Sequence, residues 1–352
     1  MGKQFGAVNE MDTVGMSVAV DPEGNVILVG TAGTVVNLGG DDLPAGVFAG
    51  KFTPSGQHLW SMACQSDTQP QAQGAVDPSS GDVVIVGECS LLGMGSIDCS
   101  GIPLTGTSDV FVARLAASDG SVIFSQRFDG ASNDNARSVA VDAQGSMILT
   151  GKGDSLTFGG PPLTGGYVAK LASNGSHLWS KAIGPAAPAA LALDAGGGMA
   201  VTGQGSNTGA LNFGGEDLPP IGGGDLFLAR LDGSGNHVWS RRFGSPGANF
   251  SGGSDVAMDG EGNLAITGSV FGNVPIDDVV LTGDSNVYLT HFDADGNLSW
   301  SRTLTTSSGH YFAFSPLNEL VAGGSSSVAI DFGEGLMNPV GGSDLFVLKI
   351  AP

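Results

Sequence analysis

Residues 224–244 read GDLFLARLDGSGNHVWSRRFG, a strand, a tight turn and a second strand. Phe227, Ala229 and Leu231 alternate with Leu228 and Arg230, the period of two that marks a strand. Asp232 to Asn236 (DGSGN) supplies turn residues that tolerate positive φ, and His237 to Phe243 resumes an extended pattern.

Working outward, three landmarks recur in fixed order. The first is an apolar tetrad ending in Asp and a turn: SVAVDPEGN from Ser17, GAVDPSSGD from Gly74, SVAVDAQGS from Ser138, ALALDAGGG from Ala190 and DVAMDGEGN from Asp255. A sixth copy, YFAFSPLNE from Tyr311, carries Ser315 in place of Asp21, Asp77, Asp142, Asp194 and Asp259. The second landmark is a strand beginning at Phe48, Phe111, Tyr167, Phe227, Tyr288 and Phe346. The third is a Trp strand at Trp60, Trp179, Trp239 and Trp300, with Phe124 in the second unit.

The missing sixth Trp strand lies at the front. Lys3-Gln4-Phe5-Gly6 aligns with Arg241 to Gly244, and Met1 falls where Trp239 would. The expected fold is therefore all-β: a six-bladed β-propeller with four antiparallel strands per blade and the N-terminal strand closing the last blade. Its units are 15–64, 73–128, 137–183, 188–243, 254–304 and 310–350 plus 1–6, in one domain over 1–352. Met1 in the Trp position leads us to expect a chain cut from a longer precursor. A β-solenoid would have shorter repeats and distinct caps, and two three-unit sandwiches would not call for a split unit.

Units reading D-x-F-x-A-K/R-L, a Gly turn, W-S-x-x-F-G, V-A-x-D-x-x-G-N and a strand ending T-G resemble the bacterial β-propeller repeat often labelled SBBP. Segments at Phe158 to Leu163 and Phe213 to Leu218 (F-G-G-x-x-L) fit the same pattern. The resemblance implies a secreted or cell-surface bacterial propeller and carries no catalytic residues. The second unit, with Phe124 and a longer loop, and the sixth, with Ser315, depart from it.

Glycine makes up 59 of 352 residues without a triplet period, so the chain is not collagen-like, and 41% hydrophobic content argues against disorder. With 34 acidic against 13 basic residues, the net charge is −21. Nucleic acid and anionic membranes are therefore poor partners. No apolar run approaches the ~20 residues of a membrane helix, and 1–12 lacks a signal-peptide core.

Two readings of the cysteines stand: a loop-closing Cys89–Cys99 disulfide in an oxidising compartment that leaves Cys64 unpaired, or reduced thiols. No zinc spacing occurs. His58, His177 and His237 share one repeat position on different units and cannot converge on one ion, and His291 takes the Lys51, Arg114, Lys170, Arg230 and Lys349 position. The repeated Asp reads as a turn acceptor. Asp293 to Asn297 opens like a calcium loop but lacks the later bidentate Glu. Gly203 to Gly209 imitates a dinucleotide motif with no helix behind it. We expect no cofactor and no metal; no motif supports calcium.

Long, variable connections follow the second and fourth strands, as in Glu88 to Ser108, Ser269 to Ser285, Gly244 to Ser254 and Thr305 to His310. In a four-stranded meander both sets emerge on one face, where binding normally sits. Phe250, His310 and Tyr311 are the candidate contacts there. The expected function is non-catalytic binding or display of a protein or glycan through that face, by a propeller that is a monomer in isolation. The alternatives are a hydrolase or lyase with an acidic, calcium-assisted site, and a structural spacer.

Overall fold

The computed structural model describes residues 13–66, 70–88, 95–99, 104–106, 109–131, 134–246, 250–304, 308–314, 319–326, 329–331, 336–338 and 344–350. Among these there is no helix. Sheets follow one another along the chain, each an antiparallel meander of the kind that forms a propeller blade. The chain divides into two units, Met1–Ala182 and Ile183–Pro352.

In the first unit the first sheet comprises Thr13–Val20, Val26–Ala32, Gly46–Phe52 and His58–Ser66. The second comprises Ala72–Val76, Val83–Glu88, Val110–Leu115 and Val122–Phe128. The third comprises Asn135–Val141, Met147–Leu156, Leu163–Leu171 and His177–Gly184. Packing shows why their third strands are largely apolar. Phe111, Ala113 and Leu115 face the first sheet, with Ile27, Val29 and Val47, whereas Val110 and Val112 face the third, with Met147, Leu149 and Tyr167. A strand buried on both faces cannot keep the polar alternation of a half-exposed one. Each such side chain contributes about 1.5–3 kcal/mol of burial.

The second unit repeats the plan. Its sheets are Ala186–Leu193, Met199–Ser206, Gly224–Leu231 and His237–Phe243, then Phe250–Met258, Leu264–Ile276, Val279–Phe292 and Leu298–Leu304. Leu226 and Leu228 of the one share a core with Leu264, Ile266 and Tyr288 of the other. Ser308–Phe314, Leu320–Ser326 and Asp344–Ile350 form a further, three-stranded sheet. The segments expected as Lys3 to Gly6 and the turn at Ser315 lie outside the described residues.

The repeated Asp closes the first hairpin turn. Asp21 Oδ1 accepts the N–H groups of Glu23 (3.0 Å) and Asn25 (2.7 Å), and Asp142, Asp194 and Asp259 accept the matching pairs. Its other oxygen does what the sequence did not announce. It pairs with the cation of the third strand: Asp21 with Lys51 (2.7 Å), Asp77 with Arg114, Asp142 with Lys170 (2.9 Å) and Asp194 with Arg230 (2.9 Å).

Three of these cations also reach the next sheet. Lys51 donates to the Ala117 carbonyl (3.0 Å), Arg114 to Gly145 (3.1 Å) and Arg230 to Gly262 (2.6 Å). His291 holds this position in the fifth sheet, stacked 5.5 Å from Trp300, and burial lowers its pKa.

The Trp strand is a second link between sheets. Trp60 Nε1 donates to Ala117 O (3.1 Å) and Trp239 Nε1 to Ala294 O (2.9 Å), each in the next sheet's outer hairpin. A Cβ on Gly120 would stand 2.6 Å from the Trp60 ring, so the glycine is required there for the close approach as well as for its φ of +72°. Phe124 meets Gly175 in the same way without the N–H.

Burial alone would raise the Asp21 carboxyl, but the Lys51 and Asn25 hydrogen bonds and the Lys51 charge outweigh it and hold its pKa at about 2, against 3.8. A depressed carboxylate stabilises above its unfolded pKa and loses that contribution as pH falls through the folded one. Urea unfolding between pH 5 and pH 2 is therefore expected to show ~2 kcal/mol lost through Asp21 between about pH 4 and pH 2. Lys51→Met should raise the Asp21 titration and lower stability at pH 7 by about 3–5 kcal/mol, since it leaves a buried charge unpaired. Trp239→Phe should cost only about 1 kcal/mol, the hydrogen bond without the ring.

Candidate functional site

The connections that follow second and fourth strands are the candidate binding loops, and buried polar contacts fix them to the sheets. Asp225 accepts Arg242 Nε at 2.8 Å and the N–H groups of Ile221 (2.8 Å) and Gly222 (2.9 Å). Arg242 in turn donates to the carbonyls of Ser206 (2.6 Å), Leu218 (3.0 Å) and Gly209 (3.2 Å). Loop 207–223 thus hangs on one buried ion pair, and Asp109–Arg127 (2.8 Å) repeats that pair in the second sheet.

The connections also carry buried apolar anchors, Leu38, Phe158 and Phe213. Beside these anchors, Gly40, Gly160 and Gly215 pack against His58, His177 and His237, so close that a Cβ would stand 2.4–2.7 Å from each ring. Each imidazole bonds a serine three residues on: Ser61 (2.9 Å), Ser180 (3.0 Å) and Ser240 (3.0 Å). The three histidines are therefore latches between outer strand and connection.

Polar groups outside the repeat collect where the second and third sheets present these connections. Glu88 follows Gly87 at the place held elsewhere by Thr31, Lys152, Gln204 and Ser269. It is buried, its Oε1 has no hydrogen-bond partner, and burial raises its pKa against the opposing charge of Arg137 and a backbone bond from Gln71. Arg137 is exposed, contacts the Gln71 side chain and occupies the bulge between Ala136 and Ser138. Asp134, where other units have Thr13, Ala186 and Ser251, is fully buried. Its Oδ1 accepts the Asp154 N–H (2.6 Å), and the Oδ2 has no hydrogen-bond partner. The sequence reading passed over both carboxylates; the available signal was an acidic residue at a repeat position that is neutral in other units. Among the described residues no group of three or more His, Cys, Asp or Glu is placed to hold a metal.

The residues singled out from sequence fall elsewhere. Phe250 opens the first strand of the fifth sheet, opposite Phe271. His310 and Tyr311 lie within the first strand of the three-stranded sheet, paired with Gly324 and Gly323. They are strand residues beside a bulge rather than loop residues, because the strand begins at Ser308, ahead of the apolar tetrad. The expected loop from Ser269 to Ser285 is mostly strand. Val270, Val274, Ile276 and Leu281 are buried, and the two strands run on to a turn at Asp277 and Asp278.

The Cys89–Cys99 pairing is also corrected. Cys99 is bonded to Cys64, and Cys89 lies outside the described residues. The cause is topological. Gly95–Asp98 leaves its own sheet and adds to the outer strand of the first, pairing Asp98 with Gln65 and Ile97 with Ser66, which brings Cys99 beside Cys64.

No family model matches the chain, and no curated protein matches it. Similar solved structures include that of U3-55K, 13% identical with a TM-score of 0.44, covering 91% of this chain and 90% of that one. The Dos1 propeller is 9% identical with a TM-score of 0.45, covering 98% and 93%. BamB from Moraxella catarrhalis is 12% identical with a TM-score of 0.45, covering 97% and 90%.

Non-reducing peptide mapping should recover a Cys64–Cys99 cross-link. Cys89→Ser should leave the melting temperature unchanged, whereas Cys99→Ser should lower stability by about 2–4 kcal/mol.

Proposed function

We propose that this chain is a non-catalytic binding or display propeller of a bacterial cell-surface or secreted protein, engaging a protein or glycan through the faces formed by its long connections. One observation carries the reading. The repeated Asp, Lys, Arg, His and Trp side chains are taken up in turns, in pairs within sheets and in links to the next sheet. Side chains outside the repeat, such as Glu88, Asp134 and Arg137, gather at the connections. A rigid frame with its variable chemistry at the loops is the usual arrangement of a binding scaffold.

The reading includes a six-bladed ring in which Lys3 to Gly6 supplies the fourth strand of the last blade. Two features support it. Among the described residues, Asp344–Ile350 is paired along one side only, with Leu320–Ser326. Val347 is 79% exposed, whereas Val112, Val168 and Leu228 at the matching position are 0% exposed. An open, apolar edge strand is a liability that closure removes.

Thermal unfolding with a panel of soluble glycans and with EDTA or calcium tests the binding reading. A ligand at ~100 times its Kd adds about 2.7 kcal/mol. Such a shift should disappear in Arg137→Ala with Lys152→Ala and persist in Leu59→Ala with Leu178→Ala, on the outer strands. The opposite pattern would overturn the assignment to the loop face. Deleting residues 1–12 should speed amide exchange throughout Leu345–Ile350, and unchanged exchange would overturn the closure.

A further inference from the structure

Asp134 has no structural duty in the repeat, yet it joins two connections. Its Oδ1 receives the Asp154 N–H at 2.6 Å. Around that bond the Ala131 N–H donates to the Asp154 carbonyl (2.6 Å) and the Thr157 N–H to the Asp129 carbonyl (3.1 Å). Asp129, Ala131 and Asp134 are thereby held against the bulged strand end from Asp154 to Thr157. That bulge contains Ser155 at a φ of 57°, a left-handed conformation that costs a non-glycine residue energy and persists only where surrounding contacts enforce it.

Every element packed on this carboxyl contributes a charge or a hydroxyl. Asp109 immediately precedes the third strand of the second sheet, Asp129 follows its fourth strand, and both are bonded to Arg127 (2.8 and 2.5 Å). Asp154 lies in the bulge itself, and the Tyr167 hydroxyl is committed to the Asn135 carbonyl (2.9 Å). Glu88 and Arg137 stand at the neighbouring strand ends. The one nearby guanidinium that pairs with two of these carboxylates is Arg127, and the Asp134 Oδ2, against the backbone of Gly130, has neither cation nor donor. A buried carboxylate oxygen in that position is costly ionised and inexpensive neutral.

We infer that Asp134 is a proton-controlled clasp on the loop face, closed while its carboxyl is neutral and loosened when it ionises. A neutral carboxyl keeps the Asp154 bond through Oδ1 and removes the unsolvated charge at Oδ2. Ionised, it adds a buried, unsolvated charge beside the carboxylates of Asp109, Asp154 and Asp129, and Asp134 gains by moving outward to water. Burial first, and then the repulsion of those three carboxylates against the single Asp154 bond, pushes its pKa up to about 6 from 3.8. The folded chain therefore holds this proton more tightly than the unfolded one. The clasp's contribution is complete below about pH 4 and is lost as pH rises through about 6. This device stands apart from any ligand and does not depend on the binding reading.

Site-resolved amide exchange at pH 5 and pH 7.5, corrected for intrinsic rates, tests it on the intact chain. Ala131, Asp154 and Thr157 should be on the order of 10-fold more protected at pH 5, while amides of the third strand Val110–Leu115 stay unchanged. Asp134→Asn, which cannot ionise, should show acid-form protection at both pH values. Carbon-13 detection of the Asp134 carboxyl in the wild-type chain should give a midpoint near 6. Equal protection at the two pH values, or a midpoint near 4, would overturn the inference, and both readings are made on wild type even where the variant fails to fold. A variant that folds and keeps the wild-type pH dependence would overturn it as well.

Discussion

The ion pair between the first hairpin turn and the third strand is the interaction on which the rest of each sheet depends. The third strand is buried on both faces, so a cation on it must be neutralised where it stands. Asp21, Asp77, Asp142 and Asp194 do so while their other oxygen closes the turn, and Lys51, Arg114 and Arg230 spend remaining donors on the next sheet. One acidic residue thereby joins turn geometry, the in-sheet pair and sheet-to-sheet attachment. Where the Asp is replaced in the sixth copy by Ser315, Lys349 pairs with Glu319 instead, at 2.7 Å and largely exposed. Where the cation becomes His291, aromatic stacking on Trp300 takes over.

That frame explains why the loop face is free to vary. Connections are anchored by a few buried contacts, Arg242 with Asp225 or an apolar plug such as Phe213. Insertions can then grow in different directions. One folds back as the Val36–Asn37 and Asp42–Leu43 hairpin, one extends two strands to Asp277, and one crosses to the preceding sheet and is bonded there through Cys99.

Much of the frame was legible in the sequence. Landmark tetrads, the two-residue alternation around Phe227 and the glycine turns located the strands to within a few residues of Ala72–Val76, Val110–Leu115 and His237–Phe243. The equivalence of His58, His177 and His237 ruled out a shared metal, and the structure gives the reason they recur: a serine bond and a glycine bed. Phe250, His310 and Tyr311, expected as contacts on the loop face, stand at strand beginnings, since backbone pairing continues beyond the apolar tetrad for as long as a partner strand runs beside it.

By itself the sequence determined the all-β character, the positions of most repeat strands and the structural nature of the repeated Asp, because these follow from local periodicity and turn chemistry. Only the tertiary structure decided which cysteines meet, which cation each Asp faces, and that Asp134 and Glu88 are buried with oxygens left unbonded. The physical reason is one of range. Turns and strand faces are set by residues two to four positions apart, whereas a disulfide, an ion pair or the desolvation of a carboxyl depends on chain brought from tens of residues away, at distances no linear pattern records.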